Sequence, residues 1–195
     1  MAREYELMMK LSWSRMALSV AALGLLFWTA CNLAPAPTAI GPSDGLTNPA
    51  SQTLGAQRFT LTDGAPAKIS DYAGKVVALD FWATYCPPCV AAMPDLEALQ
   101  KQHGAKGLQI VGINVGGDED RQAVPEFLKT NKLAISYTLG YTTDSETLSY
   151  YMGRDDRIPQ TLVYDRQGRL LKHFVGYNAN IKQDLENTIQ TALAQ

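Results

Sequence analysis

WATYCPPC, residues 82–89, is the stretch that decides the fold of this chain. It contains two cysteines, Cys86 and Cys89, separated by two prolines. The preceding run KVVALDFWA (75–83) is apolar almost throughout, as a strand buried on both faces is. Apolar residues then recur at helical spacing as far as about residue 103. The cysteine pair is therefore predicted to lie where a buried strand passes into a helix.

This position gives the cysteine pair a chemical role. At a helix N-terminus, unpaired N–H groups and the helix dipole stabilise a thiolate and so lower the pKa of a thiol. Because the thiolate is the attacking species, we expect Cys86 to be the nucleophile and Cys89, one turn later, to resolve the mixed disulfide. Pro87 and Pro88 suit early helix positions, where the missing N–H is not needed.

Two alternatives to redox chemistry remain for the pair, a structural disulfide and a metal site. A disulfide across two intervening residues removes little loop entropy from the unfolded chain, so it would stabilise weakly. A metal site needs more ligands, and His103 and His173 do not lie at ligand spacing from the cysteines. We therefore predict no metal, and no cofactor other than a redox-active disulfide between Cys86 and Cys89.

The whole chain has the composition of a globular protein. It has 195 residues, of which 46% are hydrophobic and 18% are charged, and its formal net charge is −2. Because the sequence holds no Lys/Arg cluster, nucleic acid is not an expected partner. The oligomeric state stays open, with a monomer as the default expectation.

An apolar run near the N-terminus predicts secretion. Residues 16–30, MALSVAALGLLFWTA, follow Lys10 and Arg15 and have the build of a signal peptide. A permanent membrane span needs about 20 apolar residues, so this run is short for one. We assign residues 1–30 to a signal peptide, with an uncleaved anchor as the alternative.

The run ends Trp28-Thr-Ala-Cys31, which resembles a bacterial lipobox, although Trp28 replaces the usual leucine. We expect lipidation of Cys31, while a plain cleaved signal with an incidental cysteine stays open. Residues 31–54 are rich in proline and poor in charge, which predicts a flexible linker. Each alternative places the domain on the periplasmic side of a bacterial membrane.

Residues 55–195 show the pattern of one α/β domain. We predict a mixed central sheet with helices on both faces, an N-terminal β-hairpin and a central αβ insert. The predicted strands cover 58–63, 67–70, 75–83, 108–115, 135–139, 161–165 and 169–176, and the predicted helices cover 86–103, 120–130, 145–152 and 181–193.

Three motifs resemble known proteins. The stretch from Asp80 to Cys89 looks like the active-site stretch of thioredoxin-fold proteins, and Met93-Pro94 matches the proline within their active-site helix. Ile158-Pro159, just before a strand, matches their cis-proline loop. With the signal and the linker, residues 55–193 resemble the membrane-tethered TlpA/ResA-type thiol–disulfide oxidoreductases.

The resemblance implies a substrate-binding surface around the sulfurs. Pro159 would be cis and would leave the Ile158 backbone free to pair with a substrate chain. Trp82 would shield the disulfide and, with Pro87 and Pro88, border the same surface.

The chain departs from these relatives at two positions. Many of them carry a glutamate three residues after the second cysteine, where this chain has Ala92. Asp80, by contrast, occupies the place of the buried aspartate of thioredoxin. A buried carboxyl has a raised pKa and can take a proton, so we predict that Asp80 accepts the proton of Cys89.

The implied function is extracytoplasmic reduction of protein disulfides, with electrons from a membrane thiol donor. Relatives of this build serve cytochrome c maturation or copper-site assembly. The Ile158 loop reads Arg-Ile-Pro-Gln rather than the Gly-Val-Pro-Glu of the cytochrome branch, which weakens that assignment. Partner choice is expected in the insert 118–152 and the charged run 154–157. The alternatives are a disulfide oxidase or isomerase, which often has a histidine between its cysteines, and a copper-binding chaperone.

Overall fold

The computed structural model describes residues 52–195. The predicted signal peptide (1–30), the proposed lipid site Cys31 and nearly all of the linker 31–54 lie outside the described residues. The strands are β1 (Arg58–Leu61), β2 (Pro66–Lys68), β3 (Val76–Trp82), β4 (Leu108–Asn114), β5 (Thr138–Tyr141), β6 (Gln160–Tyr164) and β7 (Leu170–Val175). The helices are α1 (Pro87–His103), α2 (Gly117–Thr130), α3 (Ser145–Met152) and α4 (Ala179–Leu193).

The strands form one mixed sheet in the order β2-β1-β5-β4-β3-β6-β7. Strand β3 lies inside the sheet, parallel to β4 and antiparallel to β6, and all its residues are buried. A strand covered on both faces must be apolar at successive positions, which explains the continuous run that precedes the cysteines. The cysteine pair therefore follows a strand whose position is fixed inside the sheet.

Alternate residues of β3 serve two separate cores. Val76 and Ala78 pack with α1 and α4 on one face, whereas Val77 and Leu79 pack with α3 and the β1–β2 side on the other. Because side chains alternate along a strand, Asp80 lies on the same face as Ala78. That face is the one that α1 covers. The predicted α/β class, with helices on both faces of a mixed sheet, is confirmed.

Several predicted boundaries need correction. The predicted strand 67–70 ends at Lys68, and Ile69–Tyr72 form a short 3₁₀ helix instead. Helix α2 begins at Gly117 rather than at residue 120, so the acidic residues after the glycine pair belong to its first turn. Strand β5 covers Thr138–Tyr141 instead of 135–139. A side chain on Gly140 would meet the ring of Phe59 and the carbonyl of Thr60. Gly140, which lies just beyond the predicted strand, therefore permits close pairing with β1.

Within residues 52–195, no helix combines the length and the apolar character that crossing a membrane requires.

Candidate active site

Cys86 is the N-cap residue of α1. Its backbone is extended, with φ −102° and ψ 100°, and its sulfur accepts a hydrogen bond from Cys89 N at 3.3 Å. Pro87 and Pro88 occupy the first helical positions, where they fit without loss of a hydrogen bond. The helix N-terminus is therefore directed at the Cys86 sulfur, as the sequence pattern predicts.

The two cysteines form a disulfide with an S–S distance of 2.03 Å and a Cα–Cα distance of 5.3 Å. They differ in accessibility, because Cys86 is 6% exposed and Cys89 is 0% exposed. An incoming sulfur can reach only Cys86 without opening the fold. This geometry supports Cys86 as the attacking and attacked residue and Cys89 as the resolving one.

The loop before β6 lies against the reactive sulfur. The Ile158–Pro159 peptide bond is cis, and the Cys86 sulfur lies 3.6 Å from the Ile158 carbonyl oxygen. In the disulfide this is a contact only, since the sulfur carries no proton, but a reduced thiol has an acceptor in place. Ile158 is half-buried and Pro159 is buried, so the residue before the proline forms the edge of the site.

Asp80 lies in the sheet beneath α1 and is 1% exposed. Its Oδ1 accepts a hydrogen bond from the Thr161 hydroxyl at 2.8 Å, while Oδ2 has no hydrogen-bond partner among the described residues. Burial raises the pKa of Asp80 to about 7, although the bond from Thr161 acts in the opposite direction. A carboxyl with this pKa can hold or release a proton near neutral pH.

Trp82 packs with both cysteines, Met93 and Val124 in one apolar cluster. Its ring is buried and also contacts Phe127 of α2, with ring centroids 6.2 Å apart. This packing is compatible with the predicted shielding of the sulfurs by Trp82. Its burial does not favour the predicted direct contact with a substrate.

The outer rim of the site consists of exposed residues next to Cys86. Pro87 and Pro88 are exposed, as a substrate contact requires. Tyr85 is 68% exposed and is the one exposed large hydrophobic side chain in the described part of the chain. Sequence reasoning missed Tyr85, and the available signal was its place directly before the nucleophile.

A cleft of about 430 Å³ extends from Tyr85 and Ile158 along α3. Its apolar wall includes Leu148 and Met152, and residues 154–156 of the charged run form its edge. Asp155 forms an ion pair with Arg157 at 2.5 Å, which lowers the pKa of Asp155 to about 2. The charged run that the sequence singled out thus borders the active site.

The two histidines, His103 and His173, are both buried. His173 hydrogen-bonds to Gln160 at 2.8 Å, and burial lowers the pKa of His103. No group of three or more His, Cys, Asp or Glu side chains that could hold a metal occurs within residues 52–195.

The fold and the site define a class of protein: a thioredoxin-like domain with an accessible sulfur at a helix N-terminus, a buried second sulfur and a cis-proline beside them. Residues 46–189 match the Redoxin family, which is about three quarters of the chain, and the protein belongs to that family.

Relatives with established names are thiol–disulfide oxidoreductases. The chain is 31% identical over 128 residues to thiol-disulfide oxidoreductase ResA of Bacillus subtilis, covering 65% of this chain and 68% of the relative. It is also 29% identical over 135 residues to ResA of Geobacillus kaustophilus, covering 68% of this chain and 73% of that protein.

A solved structure supports the same assignment. A Chlorobium tepidum protein, assigned as thiol:disulfide interchange protein DsbE, superimposes with a TM-score of 0.65 at 30% identity. The match covers 73% of this chain and 96% of that one. The prediction of a ResA-type thiol–disulfide oxidoreductase is confirmed.

Proposed function

We propose that this protein is an extracytoplasmic reductant of protein disulfides, tethered to a bacterial membrane and supplied with electrons by a membrane thiol donor. The observation that carries the proposal is that the resolving cysteine, on α1, and Asp80, on the face of β3 that α1 covers, are both buried. Cys89 must lose a proton before it can attack, and Asp80, with a pKa of about 7, can receive it.

The reaction begins from the reduced dithiol. The Cys86 thiolate attacks one sulfur of the substrate disulfide, a mixed disulfide forms, and the second substrate sulfur leaves as a thiolate that takes a proton. Cys89 then transfers its proton to Asp80 and attacks the Cys86 sulfur. The substrate's first sulfur leaves and takes a proton, so two electrons have passed from the cysteine pair to the substrate.

One feature of the sequence favours reduction over oxidation. The residues between the cysteines are Pro87 and Pro88, so no imidazole is present there to stabilise the thiolate of the reduced form. Without that additional stabilisation of the thiolate, the dithiol gives up its electrons more readily and has a lower reduction potential. The membrane donor then serves to return the disulfide to the dithiol.

The cellular location rests on the N-terminal sequence. The signal-like run 16–30, the lipobox-like Cys31 and the proline-rich residues 32–54 together favour a lipid-anchored domain on a linker. Such a tether keeps the domain near a membrane donor and near partners that are translocated across the same membrane. Apocytochrome c and copper-site proteins, whose cysteine pairs must be reduced before loading, are the proposed substrate classes.

The cleft beside the disulfide supports a protein substrate. It is continuous with Tyr85 and Ile158, so a chain attached through its cysteine to Cys86 would lie along it. The apolar wall can contact side chains of the substrate, while Arg154 and Asp156 at the edge are available for charged neighbours. Partner selection is therefore proposed for this cleft.

The test is the reduction potential of the full-length protein. It is equilibrated with glutathione buffers at pH 7, thiols are trapped by alkylation, and the reduced fraction is read by mass spectrometry. A potential near −220 mV or lower, toward the roughly −270 mV of thioredoxin, supports the reductase. A value of about −120 to −180 mV, the range of strong oxidants and isomerases, overturns it in favour of disulfide formation.

A further inference from the structure

The turn that precedes Cys86 is held by a second buried acid, Asp120, which belongs to another element. Residues 83–86 form a tight turn in which Cys86 N–H donates to the Ala83 carbonyl at 3.3 Å. This bond closes the turn but gives no partner to the N–H of Thr84, the first of its two central residues. The Thr84 N–H is only partly exposed to solvent, and an acceptor from another element satisfies it.

Asp120, in the first turns of α2, supplies it. The Thr84 N–H lies 3.2 Å from each carboxylate oxygen of Asp120, and the Thr84 hydroxyl also donates to Oδ1. The Asp120 residue is 8% exposed. One carboxylate therefore binds both the backbone and the side chain of the residue two positions before the nucleophile.

The surroundings of Asp120 are built to hold the carboxylate in this place. Asn114, at the end of β4, donates to Oδ2 at 2.5 Å, and its own Oδ1 accepts from Gly116 N at 3.1 Å. A Cβ at Gly116 would lie 2.4 Å from Asp120 Oδ2, so only glycine leaves the carboxylate its space. Three donors converge on two oxygens, which defines the position of the side chain.

We propose that Asp120 is a positioning residue for thiol–disulfide exchange: by holding Thr84, it fixes the turn that sets the Cys86 sulfur at the N-terminus of α1. Asp120 acts through Thr84 and does not itself touch the reacting sulfurs. The proposal rests on exchange chemistry at Cys86 and not on its direction. An oxidising potential would therefore overturn the proposed function and leave this inference standing.

The exchange rate should respond to the loss of this contact, because attack on a disulfide needs an aligned sulfur. A misplacement of about 1 Å can cost on the order of 10²-fold in rate. The substitution Asp120→Asn keeps the size of the side chain but replaces one acceptor oxygen with a donor that faces the donors of Thr84 or Asn114. The substitution Thr84→Val removes the hydroxyl donor and keeps the backbone N–H.

The experiment measures how fast reduced full-length protein reacts with oxidised glutathione at pH 7, with alkylation of the remaining thiols. We expect D120N and T84V each to slow the reaction about tenfold, and T84S, which keeps the hydroxyl, to restore most of the rate. In the double variant the slowing should be smaller than the product of the single effects, because both substitutions remove one shared contact.

The matched control is Asp118→Asn, two positions earlier on the same helix. The Asp118 side chain is 74% exposed and faces Arg121 at 3.8 Å, so D118N removes the same charge without touching Thr84. We expect an unchanged rate for D118N. A wild-type rate in D120N or in T84V, equal slowing in D118N, or fully multiplicative effects in the double variant would each overturn the proposal. If D120N does not fold, the comparison of T84V with T84S decides.

Discussion

The floor and the rim of the active site differ in almost every physical property. The floor, formed by Cys89, Asp80 and Trp82, is buried in the sheet and under α1. The rim, formed by Tyr85, Pro87 and Pro88 next to Cys86, faces solvent, and Tyr85 also borders the cleft. A buried group can have a shifted pKa and move a proton, whereas an exposed group can contact a partner. The two tasks of the enzyme are thus separated in space.

The largest effect should come from the two cysteines themselves. With a protein disulfide substrate, Cys89→Ser should leave the Cys86 mixed disulfide unresolved, so a covalent complex accumulates that a reducing agent releases. Cys86→Ser should give no complex through the pair, because the sulfur of Cys89 is buried. Mass spectrometry of non-reduced mixtures checks both. A complex that forms equally well through Cys89 would contradict the conclusion that only Cys86 is accessible to a substrate.

The second-largest effect is expected when Asp80, the proton acceptor in the floor of the site, is replaced. Asp80→Asn cannot accept a proton, and general acid–base catalysis contributes about 10²–10⁴-fold, so oxidation of the dithiol at pH 7 should slow by about 10². In the wild type the rate should rise as pH increases through about 7, because Asp80 must be deprotonated to act. Stopped-flow oxidation across pH 5 to 9 checks this.

The control for that measurement is Glu97→Gln, which removes a different buried carboxylate, one that lies on α1 itself. Glu97 is held by Lys101 and by Ser136 N–H, and these bonds lower its pKa, so it stays charged and does not exchange protons near pH 7. If D80N and the wild type have the same pH profile, Asp80 does not accept the proton of Cys89.

Asp80 should also affect stability with a definite sign. Its pKa in the folded state is about 7, against 3.8 in the unfolded chain, so the folded protein binds more protons between these values. Stability must therefore fall as pH rises from about 4 to 7, by up to about 4 kcal/mol in total.

Asp80→Asn does not titrate, so its stability advantage over the wild type should be larger at pH 8 than at pH 5 by on the order of 2 kcal/mol. Guanidinium unfolding of the oxidised proteins at both pH values measures the difference. An advantage that is independent of pH would mean that Asp80 is already ionised at pH 5 in the folded protein.

The smallest effect is expected at the rim. Tyr85→Ala removes an exposed aromatic side chain beside Cys86, and such a truncation at an interface costs about 1 kcal/mol. We expect KM for a protein substrate to rise about fivefold, with no change in the reduction potential. The reaction with glutathione, which is too small to fill the cleft, serves as the control. Equal losses with both substrates would place Tyr85 in the chemistry rather than in binding.

Much of this protein follows from its sequence. The order of strands and helices, the N-cap position of Cys86 and the two early prolines are local features, because apolar spacing and capping residues determine them over a few positions. The burial of Asp80 is also predictable, since it stands inside the apolar run of a central strand. The cysteine motif and the proline loop are sufficient to indicate the family.

The tertiary structure alone decided what surrounds these residues. Asp80 receives a hydrogen bond from Thr161, 81 positions away, and Asp120 holds Thr84 across 36 positions. The need for glycine at position 140 becomes clear only from the structure, in which β1 packs directly against it. Such contacts depend on which elements become neighbours in the sheet, and no local pattern in the sequence encodes that. The chemistry of the sulfurs can therefore be predicted from the sequence, whereas the contacts that position them depend on the fold.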